Sequence, residues 1–153
     1  MSRPRTLTAM AAAAAAGTLL LGSLPAEAAH KPTFRADLQG ANEVPNHGDL
    51  HGSGRLRATI NLNTGSVCVR ILVTGIDTPT AAHIHEAPAG VAGPVVVTLP
   101  TPTVGTLSGG CVDVGPVLAN EIAADPDEYY ANVHNAHFPG GALRGQLEPT
   151  PVP

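Results

Sequence analysis

The residues best suited to chemistry lie in two short segments, Ala82-His83-Ile84-His85-Glu86 and Asn132-Val133-His134. In an extended strand, His83 and His85 project to one side with their Cα atoms about 6.6–7 Å apart. Two imidazoles at that spacing can share a divalent ion. A third, His134, brought from a neighbouring strand, completes a three-ligand set with an open position, and imidazole donors suit copper or zinc. His137 lies three residues beyond His134 and is a candidate fourth ligand or an exposed loop residue. The alternative for all of them is a set of hydrogen-bonded histidines on a polar sheet face. His47 and His51 flank a glycine-rich loop and His30 lies near the amino terminus, and neither position predicts a ligand.

Alternation supplies the orientation. Ala82 and Ile84 are core residues in the pattern, as are Tyr129, Ala131 and Val133, so His83, His85 and His134 all face outward. Turn residues punctuate the chain at short intervals, with Val, Ile, Leu and Thr between them, which predicts an all-β, Greek-key-like antiparallel sandwich or barrel. The strands are expected at 33–38, 54–62, 66–74, 80–85, 93–99, 111–114, 128–134 and 142–147. The run 93–99 reads as a central strand covered on both faces. Pro116 to Ala124 is the one helical stretch.

Cys68 and Cys111 alternate with valines, so both lie opposite the main apolar stripe. They are expected to form one disulfide outside the core, between adjacent strands or loops. Glu43, beside Asn42, is expected to anchor backbone amides or to pair with Arg144.

Residues 1–28 read as a cleaved Sec-type signal peptide. Arg3 and Arg5 open it, an uncharged Ala-rich stretch follows, and Ala26-Glu27-Ala28 gives the cleavage pattern. Secretion as a free extracellular domain, with no membrane attachment after cleavage, follows from that reading. Residues 29–148 form one domain and 149–153 a disordered tail. The formal charge of the full chain is −4, with no basic cluster and only 3% aromatic residues, which argues against nucleic acid as a partner.

Several blocks together resemble the CHRD family, named for the extracellular protein chordin. They are Leu38-Gln39-Gly40-Ala41-Asn42-Glu43-Val44-Pro45, Gly52-Ser53-Gly54, Ala81-Ala82-His83-Ile84-His85, Gly90 with Gly93-Pro94-Val95-Val96, Tyr130-Ala131-Asn132-Val133-His134, and Phe138-Pro139-Gly140-Gly141-Ala142-Leu143-Arg144-Gly145-Gln146-Leu147. The last block departs from the family's usual Gly-Gly-Glu-Ile-Arg-Gly at Ala142-Leu143. The resemblance implies a secreted, non-enzymatic binding or structural module with an extracellular partner, and it transfers no catalytic residue. A fainter resemblance joins Gly75-Ile76-Asp77 and His83-Ile84-His85-Glu86 to the copper-ligand strand of copper–zinc superoxide dismutase. It implies the alternative of a mononuclear copper oxidoreductase in which Arg144 stands near the metal and attracts a small anion. No histidine occurs between Glu86 and Val133, so that enzyme's bridging and zinc-loop ligands have no counterpart.

Overall fold

The computed structural model describes residues 31–151. The proposed signal peptide and His30 lie outside the described residues. The strands are β1 (Thr33–Gln39), β2 (Ser53–Asn61), β3 (Ser66–Thr74), β4 (Pro79–Glu86), β5 (Val95–Leu99), β6 (Ser108–Asp113), β7 (Tyr129–Asn135), β8 (Leu143–Gln146) and the two-residue β9 (Glu148–Pro149). One helix, α1 (Gly115–Ala124), follows β6. The order across the sheet is β5-β4-β7-β8-β1-β2-β3-β6, with β9 on β1, and every pairing is antiparallel. The sheet curls until β5 and β6 approach one another, giving the nearly closed all-β architecture that the turn spacing predicts.

The period-two pattern decides what faces inward. Across β2 and β3, Leu56 opposes Ile71, Ala58 opposes Val69 and Ile60 opposes Val67, and all six are buried. A one-residue slip would turn the whole set to solvent, so the pattern fixes the register. The connecting turn is held by Asn61 Oδ1, which accepts from the amides of Asn63 and Thr64. Gly65 in that turn has φ +76°, and a Cβ there would lie 2.2 Å from Gly115. Pro116 stands in the first turn of α1, whose Ala119 and Ile122 join the core.

Cys68 and Cys111 are directly opposed between β3 and β6 and are bridged, with Cα atoms 3.9 Å apart. Two expectations are corrected. The 93–99 run is an edge strand rather than a central one: Val95 is 49% exposed and only Val97 and Leu99 are buried. Gly93 and Pro94 belong to the preceding loop, and β5 has β4 alone as its ladder partner. The tail read as disordered from 149 begins in order, since Pro149 pairs with Phe34 and the Thr150 amide donates to the Thr33 carbonyl.

Candidate metal centre

β4 and β7 lie side by side with His83 opposite Asn132, Ala81 opposite His134 and His85 opposite Tyr130. Inward, Ala82, Ile84, Ala131 and Val133 are buried in the core. That packing turns the three histidines to the other face, where each offers one ring nitrogen and these three atoms lie within 4.8 Å of one another. Bonds of about 2.0–2.1 Å to a common ion place nitrogens about 3.3–4 Å apart. The set is slightly wider than that, within reach of small ring movements.

Hydrogen bonds to backbone carbonyls fix two of the three tautomers. His85 Nδ1–H donates to the Gly93 carbonyl at 2.9 Å, and His134 Nδ1–H donates to the Pro139 carbonyl at 3.0 Å. A carbonyl can only accept, so in the neutral rings both Nε2 atoms carry lone pairs. Both lie 3.1 Å from Asn132 Oδ1, and with lone pairs on both rings these contacts become hydrogen bonds only with the amide turned so that its NH2 group faces them. His83 Nδ1 completes the group 3.0 Å from His134 Nε2, to which it donates. An N–H held by a carbonyl on the far side of the ring is the support that metal-binding imidazoles commonly have.

The His85 side of this site is covered, which alternation alone does not reveal, while His83 and His134 stay partly exposed. His85 is only 8% exposed, stacked on Tyr130 with ring centres 4.7 Å apart. The other face of Tyr130 carries the Arg144 guanidinium, 3.4 Å from the ring centre, because β4 and β8 flank β7 from opposite sides. Over this stack runs a strap, residues 87–94. Arg144 donates to the Pro88 and Val91 carbonyls, Gln146 donates to the Ala87 carbonyl, and Tyr130 Oη accepts from the Gly93 amide. Arg144, 2% exposed, is thus a clamp on the strap, not an exposed guide for anions. Tyr130, Asn132 and Gln146 were not singled out in the sequence, although Tyr130 and Asn132 share the parity of His134.

Burial lowers the pKa of His83, with further lowering from His134 and His85, while the Asn132 contact works against it. Burial also lowers His134, opposed by its bond to the Pro139 carbonyl. Both shifts favour the neutral ring, the form that ligates metal. The fourth ligand anticipated at His137 is not in place. Its Nδ1 instead donates to Asp77 Oδ2 at 2.5 Å, and it lies outside the group of three. Glu43 neither anchors amides nor pairs with Arg144: its Oε1 is buried without a partner. Three imidazoles on two strands, with second nitrogens tied to carbonyls, fit zinc or copper by donor type.

Residues 34–147 match the family model of the CHRD domain. No curated protein and no solved structure matches the chain.

Proposed function

The chain belongs to the CHRD-domain family, and on that footing we propose that it is an exported, non-enzymatic binding module whose His83, His85 and His134 hold one zinc or copper ion. The carrying observation is the convergence of three ring nitrogens within 4.8 Å, from two strands whose register is fixed by the core. Such an ion would supply a Lewis-acidic point with room for an external ligand. The residues do the rest: Gly93 and Pro139 carbonyls orient two rings, Asn132 bridges them, and the Tyr130–Arg144 stack with its strap keeps water from one side of His85. The Cys68–Cys111 bridge fits an oxidising compartment and so supports export. The copper oxidoreductase alternative is less favoured, because Arg144, the group it needs beside substrate, is buried under the strap.

Metal analysis after loading the purified protein with zinc or copper, followed by dialysis, tests the reading. One ion per chain, lost in His83→Ala, is expected. Failure to retain either metal, or full retention by His83→Ala, would overturn it. Copper that is retained and cycles between oxidation states on adding a reductant and oxygen would favour the oxidoreductase. The amino-terminal mass of exported protein checks the signal: processing after Ala28 is expected, and an intact membrane-held terminus refutes it.

A further inference from the structure

A cleft of about 230 Å³ opens between two loops, one carrying Glu43 and His47 and the other carrying Phe138 and Pro139, whose carbonyl also holds His134 from behind. Glu43 is among its lining groups and is 5% exposed. A carboxylate so deeply placed ordinarily accepts two or more hydrogen bonds, yet Oε1 has no partner at all. The amides around it are engaged elsewhere. Glu43 N and Gly48 N donate to the Gly40 carbonyl, Asp49 N to Ala142, Gly141 N to Phe138 and Ala142 N to Val133. Arg144 is near enough to act on Glu43 electrostatically, but it hydrogen-bonds the strap carbonyls. Room for the carboxyl exists because residue 141 is glycine: a Cβ there would lie 2.2 Å from Oε1.

We infer that this cleft recognises a primary alkylammonium group, which pairs with the Glu43 carboxylate while its short carbon chain lies along Val44, Pro45, Phe138 and Pro139. One carboxylate among apolar walls is too poor in oxygen for calcium or magnesium, which need several. An ammonium brings three donors and an apolar stem, matching an unpartnered acceptor beside prolines and a phenyl ring. His47 adds an acceptor at the rim. Its Nδ1–H donates to the Ala41 carbonyl, which leaves Nε2 of the neutral ring free. Burial pushes the Glu43 carboxyl up to about 7, with Arg144 pulling the other way, so a bound cation restores a charge that the fold alone does not support.

The ammonium can belong to a free amine or to a lysine on a partner protein, and two probes separate these. Amide NMR titrations at pH 8 would use n-butylamine hydrochloride and Nα-acetyl-lysine methylamide, with n-butanol as the neutral isostere. At least one ammonium probe is expected to shift the amides of 43–47 and 137–141, with butanol leaving them in place. Tighter binding of the lysine derivative assigns the site to a partner's lysine, and tighter binding of butylamine assigns it to a small amine. Glu43→Gln should weaken binding about tenfold or more, the loss expected for a charge-assisted bond, while its amide spectrum away from the cleft stays that of wild type as a sign of an intact fold. In wild-type protein, binding should weaken as pH falls from 8 to 5.5. Protonation of Glu43 acts in that direction; the other ionisable groups that face it are His47, His137 with its Asp77 partner, and Arg144. Equal shifts with butanol, no shift with either ammonium probe, or undiminished binding by Glu43→Gln would each overturn the inference. None of these outcomes depends on whether the histidines bind metal.

Discussion

His83 and His85 alternate on one strand yet carry different structural duties. His83 is partly exposed, and its ring meets the other two histidines and the Asn132 side chain. His85 is buried between the Gly93 carbonyl, Asn132 and the Tyr130 ring. His83→Ala is therefore the clean test of ligation: metal affinity should drop at least about 100-fold, with a stability change under about 1 kcal/mol. His85→Ala should lose the metal as well, but at a further cost of about 1–3 kcal/mol, because it opens a gap beneath Tyr130 and strands a carbonyl. Calorimetric titration and thermal melts of the two variants separate these outcomes.

The ionisable groups also set a pH signature for the metal-free protein. Lowered histidine pKa values favour folding while the rings are neutral, so that contribution is present above pH 6.5 and lost as pH falls below it. Glu43 has the opposite sign. Its carboxyl is raised from 4.5 to about 7, so folding favours the protonated form, and stability falls as pH rises between those values, by up to about 3 kcal/mol. Denaturant unfolding across pH 4.5–8 should show Glu43→Gln gaining on wild type with rising pH, the difference levelling off above 7. A constant difference would place the Glu43 carboxyl in an ordinary environment.

Elements rather than single residues decide how closed the site is. The strap crosses from β4 to β5 and is pinned from β7 and β8, so its order depends on strands far away in sequence. Arg144→Gln removes the cation over Tyr130 and both carbonyl contacts, and should destabilise by about 2–4 kcal/mol. Hydrogen exchange at residues 87–93 should rise well beyond the global change. Gly93→Ala should act similarly, since its Cβ would fall 1.9 Å from the Glu86 carbonyl oxygen. These contacts mark the border of what the chain reveals on inspection. Parity alone orients His83, His85 and His134, because each neighbours a residue such as Ile84 or Val133 that must be buried. It is silent on coverage by a strap whose anchor, Arg144, lies 53 residues from Val91. The same limit applies to 93–99: an apolar run looks doubly covered until the sheet order makes it an edge. Glu43 was visible as a polar residue among turn formers, but the engagement of the Gly48, Asp49, Gly141 and Ala142 amides with other carbonyls emerges only in three dimensions.

Across the whole molecule, the disulfide ties β3 to the edge strand β6 and encloses β4, β5 and the strap, at a sequence separation of 43. Opening it frees that stretch in the unfolded chain, which costs up to about 4 kcal/mol in the loop-entropy treatment. A Cys68→Ala/Cys111→Ala double variant should show a fall in denaturant midpoint of that order or smaller. Its metal affinity should stay near wild type, since the proposed ligands lie on β4 and β7, away from the bridge.

The sheet order also has a consequence in time. β2 and β3 are joined by a tight turn and can pair at once, whereas His83 and His134 are 51 residues apart and β8 must reach β1 through the pair Gln39–Arg144. Distant pairings of this kind form slowly. The three nitrogens come together only when β7 docks on β4, so the proposed metal site is completed late in folding. Zinc offered at successive delays after dilution from denaturant would then act as a stopwatch for that docking, with uptake lagging behind the formation of the β2–β3 hairpin.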